Sequence, residues 1–282
     1  MRRSVRPRRA ALDPAAAART LDRVATLVAA GVPPTRAWAL VGGFPQDAGP
    51  AWQDVAAVLR VAEHTGAPSA GTVRALAGAL RRSAASDRAV LVALAGPRAS
   101  ARVVLALPLL GLALGSTWGS GAVQVLVASP VGWTCVVLST ALVLLGRAWT
   151  ARLVRAATPD GHLPGVLLDA WAVAVSGGGS WADGGAAVRT AFADRPCRAA
   201  DGEHLREVLA LAQRAGVPAA SLLRAAAEDV RDDVAAAGLA AAERLAVRLV
   251  LPLGVCVLPA FVLVGVVPVV VGVLSSTVVD VG

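Results

Sequence analysis

The sequence predicts an all-α membrane protein: two homologous cytoplasmic helical bundles with three transmembrane helices. Three observations lead there. Residues 103–146 form a run of 44, and residues 249–279 a run of 31, without Asp, Glu, Lys, Arg or His, whereas charges are dense elsewhere. A charge at the bilayer centre costs roughly 2.5–3.5 kcal/mol on insertion scales, so lipid accounts for both runs. The charged segments carry apolar residues at helical spacing, punctuated by Gly and Pro, and none alternates at period two. The two charged segments also resemble each other over much of their length.

The elements follow in order. Residues 1–18 are a basic arm, opening Met-Arg-Arg-Ser-Val-Arg-Pro-Arg-Arg, read as lipid-facing or disordered. No nucleic-acid module follows it, so no nucleic-acid partner is expected, and no apolar stretch backs it as a signal peptide would require. Residues 19–102 form the first bundle, with helices near 15–30, 34–41, 52–65, 69–82 and 84–96. A transmembrane hairpin follows at 103–146, with spans at about 103–118 and 122–146 around the Gly119-Ser120-Gly121 turn. The second bundle occupies 147–248, with helices near 164–176, 180–193, 202–215 and 219–247. Ser180 and Asp183 have the spacing of a capping pair at a helix start. The third span is 249–274, and 275–282 is a short external tail. A span needs about 20 apolar residues, which the 44-residue run meets twice only with a tight turn.

Arginine placement sets the orientation. Arg81, Arg82, Arg88, Arg98 and Arg102 precede the first span, Arg147, Arg152 and Arg155 follow the second, and Arg231, Arg244 and Arg248 precede the third. The 118–122 turn and the tail carry no basic residue. The positive-inside rule then puts the amino terminus and the 147–248 segment in the cytoplasm. Residues 1–102 hold 15 Arg against six acids, a net +9, while 147–248 hold 12 of each and balance. All 27 basic residues are Arg, and Ile, Asn and Tyr are absent too. Those missing residues share AT-rich codons, so the lack of Lys reflects a GC-rich genome rather than a need for guanidinium chemistry.

Pro252, Pro259 and Pro268 interrupt the third span. Each lacks a backbone donor and crowds the preceding turn, which a membrane helix tolerates when neighbours satisfy the freed carbonyls. The prolines are either static kinks or the joints of a helix that responds to motion in the cytoplasm. Gly111 and Gly115 form a Gly-x-x-x-Gly pair that permits close helix contact.

Catalytic and metal chemistry find little purchase. Cys135, Cys197 and Cys256 lie far apart, and His64, His162 and His204 are scattered, so neither a disulfide framework nor a metal site is indicated. No cofactor is implied. A phosphate-binding loop ending Gly-Lys-Ser/Thr is impossible without Lys, so any ATP-derived energy comes from a partner. Gly177-Gly178-Gly179-Ser180 follows a helix, not a strand, and reads as an interhelical turn. Glu228-Asp229 and Asp232-Asp233 occupy adjacent turns of one helix. They form a solvated face, a cation site or a contact for a partner's arginines.

The repeat is readable residue by residue. Val58 to Pro68 aligns with Val208 to Pro218, Arg74 with Arg224, Arg81 with Arg231, and Leu27 to Gly31 with Val173 to Gly177. Gly66 and Gly216 take equivalent places before a proline, each as a helix stop. Glu63 lies near the end of one such helix. It either fixes the turn through a polar contact or meets a subunit or cation at the bundle interface.

The order of bundle, span, turn, span, bundle and span resembles the type II secretion system F family, the inner-membrane platform proteins of type II secretion, type IV pili and Tad (Flp-type) pili. The segment Ala62-Glu63-His64-Thr65-Gly66 matches that family's small-Glu-x-Ser/Thr-Gly pattern, and residues 251–268 resemble the proline-bearing last span of the Tad branch. Gln213 stands where the second copy would carry Glu, which puts any carboxylate role there in doubt. The resemblance implies a non-enzymatic, multi-pass platform in a bacterial inner membrane. Its expected partners are a cytoplasmic hexameric secretion ATPase, a second platform protein or further copies of itself, pilin-like subunits and membrane lipid. Asp232 and Asp233 are candidates for the ATPase contact. The alternative is a small polytopic carrier or scaffold unrelated to pili, against which stands the absence of any charge inside a span.

Overall fold

A computed structural model describes residues 14–45, 49–67, 69–117, 129–158, 160–193, 199–268 and 270. The Gly119–Gly121 turn, most of the basic arm and the tail lie outside them. Among the described residues every regular element is helical: α1 Pro14–Ala29, α2 Pro34–Val41, α3 Pro50–Thr65, α4 Ser69–Ala93, α5 Ala95–Thr117, α6 Pro130–Ala156, α7 Val166–Ser176, α8 Trp181–Ala191, α9 Ala199–Ala215 and α10 Ala219–Arg248. The chain then continues as α11 Val250–Pro252, a π-helical turn Leu253–Val257, α12 Leu258–Phe261 and a second π-helical turn Val262–Val266.

The chain divides into two compact units. One combines Met1–Ala89 with Pro159–Ala237, and the other Val90–Thr158 with Gly238–Gly282. The two charged segments, expected as separate bundles, therefore contribute to a single unit. Helices α4 and α10 each give residues to both units.

In the first unit α7 is the central helix. Its sequence, Val-Leu-Leu-Asp-Ala-Trp-Ala-Val-Ala-Val-Ser, is apolar on every side but for Asp169 and the terminal Ser176, the pattern of a helix packed all round. Ala170, Val173 and Ala174 join a core with Val55, Val58 and Val61 of α3 and Leu21 and Val24 of α1. Leu168 and Ala172 join a second core with Leu205 and Val208 of α9 and Leu223 and Ala227 of α10. Close packing depends on small residues. A Cβ on Gly177 would lie 2.1 Å from the Thr65 carbonyl oxygen, and one on Gly165 would lie 2.9 Å from that of Ala227. Asp54 of α3, 2 % exposed, adds a polar stitch by accepting the Leu163 N–H at 2.7 Å. Trp38, Phe44 and Trp52 stack edge to face, with centroids 5.1–6.3 Å apart, and anchor the connection into α3.

Helix starts and stops fall where the punctuation puts them. Ser180 caps α8, its Oγ accepting the Asp183 N–H at 3.1 Å and donating to the Asp183 carboxylate at 2.7 Å. The glycines before it form a turn, with Gly178 at φ +79°. Two boundaries differ from expectation. The helices expected at 69–82 and 84–96 are largely fused in α4, because Ser83 lies between the helix-favouring pairs Arg81-Arg82 and Ala84-Ala85, with no Gly or Pro from 79 to 93 to break the ladder. Helix α6 does not end at Gly146 but runs to Ala156, because residues 147–156 contain no Gly or Pro to stop it.

The second unit holds α5, α6 and the last segment from Gly238 onward. Two helices are long and apolar enough to cross a membrane. Gly132–Ala156 has mean hydropathy 1.5, and the continuous run Ala219–Val266 has mean hydropathy 2.6 over its apolar window. The first expected span, 103–118, overlaps α5 as far as Thr117, and Trp118 lies outside the described residues. Helices α5 and α6 pack against each other and against the π-bearing last segment. Gly146 lets α6 approach closely: a Cβ there would meet the Cys256 Cβ at 3.0 Å. The buried Ser139 hydroxyl donates to the Ala260 carbonyl at 3.1 Å. The helix persists through Pro252 and Pro259. The first π-helical turn follows Pro252 directly and the second begins three residues after Pro259, widenings of the ladder that proline's missing donor favours. At the arginine-bearing ends, Val90, Leu94, Ala242, Leu245 and Leu249 form a small core with Leu153 and Val154.

Candidate functional site

A cavity of about 360 Å³ opens in the first unit among α4, α7 and α10. On α4, residues 71, 74, 75, 78, 79 and 82 line it, a spacing that defines one helix face. Gly71, Ala75, Gly78 and Ala79 keep that wall low, and Arg74 and Arg82 rise at its two ends. Across from it α10 presents Arg224, Glu228 and Arg231 at intervals of four and three, again one face. Asp169 of α7 completes the lining.

The charges are partly paired. Arg231, with a side chain only 5 % exposed, bonds Asp169, which is 16 % exposed. Arg82 meets Glu228 at 2.9 Å, with both side chains about half exposed. Arg224 donates to the Ser176 hydroxyl at 3.0 Å. Arg74 has no hydrogen-bond or ion-pair partner among the described residues. The Arg231 Nε is buried and also lacks a partner. Four guanidinium groups against two carboxylates leave the lining with a net +2. Burial pushes the Asp169 carboxyl up to about 6, against the opposing pull of Arg231, Arg82 and Arg224. Burial likewise lowers the Arg231 pKa, with Asp169 opposing.

Arg231–Asp169 has a counterpart. Arg81, which the repeat aligns with Arg231, bonds Asp22 of α1, but there both groups are exposed. Gly66 and Gly216 are also equivalent in geometry. They sit at φ +67° and +63°, and the residue after each donates five positions back, Ala67 to Ala62 at 3.0 Å and Val217 to Ala212 at 3.3 Å.

The structure does not bring the sequence-predicted site residues into one cluster. Glu63 is exposed in the last turn of α3, and Asp232 and Asp233 are exposed on α10 outside the cavity lining. Pro252 and Pro268 are buried and Pro259 exposed, all in the second unit. Of the acidic run on α10, only Glu228 faces the cavity. Arg74, Arg224 and Arg231 were visible as repeat positions. Asp169 was missed, although a lone acid in an otherwise apolar helix was a signal of a buried partner. The described lining contains no Ser, Thr, Cys or His, so it offers charge and room but no hydroxyl, thiol or imidazole nucleophile. No family model, curated protein or solved structure matches the chain.

Proposed function

We propose that the chain is a non-enzymatic inner-membrane platform that couples a cytoplasmic hexameric secretion ATPase to assembly of a Tad- or type IV-like pilus, or to protein secretion. The observation that carries this reading is the partition of the chain. Segments 1–89 and 159–237, separated by apolar sequence, build one charged unit, while residues 90–158 and 238–282, with the charge-free runs, build another. A docking body on one side of a membrane requires such a grouping if the intervening chain crosses the bilayer an even number of times. In this reading there are three spans, the amino terminus and both charged segments are cytoplasmic, and the tail is external. The paired geometry at Gly66 and Gly216, and at Arg81 and Arg231, supports a duplicated origin. The exposed Asp232 and Asp233 offer carboxylates to a basic surface of the ATPase. Helices α4 and α10 carry motion toward the spans, and the proline-bearing last span, with its two π-helical turns, is the element that yields.

Purification of the full chain from native membranes in mild detergent tests this. The expected co-purifying proteins are an ATPase with a phosphate-binding loop and small pilin-like subunits. Joint replacement of Asp232 and Asp233 by Arg should weaken ATPase capture. Recovery of the chain without any ATPase, from cells that express one encoded beside it, would count against the platform reading.

A further inference from the structure

We propose that the cavity between α4, α7 and α10 binds the phosphoryl group of a small soluble molecule. The inference does not depend on what the membrane-spanning part does. Four guanidinium groups converge on one cavity from two helices, and two carboxylates neutralise only half of their charge. The remaining +2 complements a dianion better than a single carboxylate. Guanidinium forks match phosphoryl oxygens in shape and donate strong charge-assisted bonds. Two donors stand ready: Arg74 is free of partners among the described residues, and the buried Arg231 Nε has none. A buried donor without an acceptor is costly, and a bound oxygen would satisfy it. A volume of about 360 Å³ exceeds what a bare phosphate fills and falls in the range of small-ligand sites, about 300–1,000 Å³, so the anion arrives attached to a larger body. The low wall of Gly71, Ala75, Gly78 and Ala79 leaves space for that body.

Asp169 tunes the site. It competes with the ligand for Arg231, and the groups facing it are Arg82 of α4 and Arg224, Glu228 and Arg231 of α10. When Asp169 takes up a proton, Arg231 is released and the net charge of the lining rises.

Calorimetric titration of the detergent-solubilised full chain tests the proposal, with pyrophosphate and ADP as soluble probes and a short-chain phosphatidate as the lipid probe. The soluble probes should bind, and Arg74→Ala and Arg224→Ala should each weaken them by roughly tenfold. Both side chains are exposed, so neither change threatens folding, which circular dichroism checks. Arg36→Ala, away from the cavity, should leave binding unchanged. Sulfate, a dianion throughout the range, should bind more tightly at pH 5.5 than at pH 7.5, and Asp169→Asn should bind equally at both. Absence of binding by pyrophosphate and ADP would overturn the proposal, as would binding untouched by the Arg74 and Arg224 changes. Binding of phosphatidate alone would overturn the soluble source and assign the cavity to lipid headgroups.

Discussion

Gly177 offers a test in which local and tertiary physics predict opposite signs. It follows α7 at φ −75°, a backbone any residue adopts. Exchange for alanine at such a site would ordinarily stabilise by about 0.4–1 kcal/mol, by restricting the unfolded chain. Here the new Cβ would stand 2.1 Å from the Thr65 carbonyl oxygen and 3.0 Å from its carbon. These are backbone atoms at the end of α3, so no side chain can swing away. Restoring an ordinary contact requires α3 and α7 to part by about 1 Å. Both helices are embedded in the core that holds Val55, Val58 and Val173. Overpacking of such a core costs typically 1–3 kcal/mol, so the net expectation for Gly177→Ala is a loss of about 2 kcal/mol. For a unit of this size that corresponds to a fall of about 4–8 °C in Tm. Thermal unfolding in detergent reads it, with Gly179→Ala as control because nothing lies within 4 Å of a Cβ there. A Gly177→Ala protein as stable as the control, or more so, would refute the packing of α7 against the end of α3.

Three further outcomes follow from the same structure. The Asp169 carboxyl holds its proton up to about pH 6 when folded, against 3.8 when free, so its contribution to stability is fully present below about pH 4 and is lost as pH rises through 6. The difference between wild type and Asp169→Asn in Tm, followed from pH 4 to 7, should show that slope, and Arg231→Met should move it to higher pH because the carboxylate then loses its cation. Gly66→Ala and Gly216→Ala should each cost about 1 kcal/mol and nearly the same amount, since both sit at positive φ with open space for the Cβ and only the backbone resists. Gly146→Val should lower thermal stability in detergent by about 1–3 kcal/mol, because its side chain drives α6 away from Cys256 and Pro252.

Local structure was legible in the sequence wherever a residue type dictates backbone. Glycine before proline at 66–68 and 216–218, and the Ser180 cap, fix helix ends through groups a few residues apart. The charge-free runs likewise fall on long apolar helices, two of them long enough to cross a membrane. What escaped was set by distant partners. The fusion of α4 through Ser83 depends on nothing interrupting it, which a pattern of breaks underdetermines. The sharing of one core by both charged segments depends on close approach at Gly165 and Gly177, and a glycine's small size carries no periodic signal. The cavity was invisible because Arg82, Arg231 and Asp169 come from three helices, and an arginine at helical spacing reads as a solvated face until its acid is found. The three prolines announced irregularity in the last span but not its form, because whether a ladder kinks or widens is decided by what packs beside it.

Residues 14–89 and 159–237 join into one unit, and cross-linking in native membranes tests that joining directly. Arg82 and Glu228 are bonded at 2.9 Å across the cavity. In a chain with Cys135, Cys197 and Cys256 changed to alanine, Arg82→Cys and Glu228→Cys should be bridged by a short bifunctional maleimide. Cleavage at a protease site inserted near residue 122 should then leave the two fragments linked at the mass of one chain. Fragments that separate after cleavage, or that are joined only at the mass of two chains, would contradict the single unit.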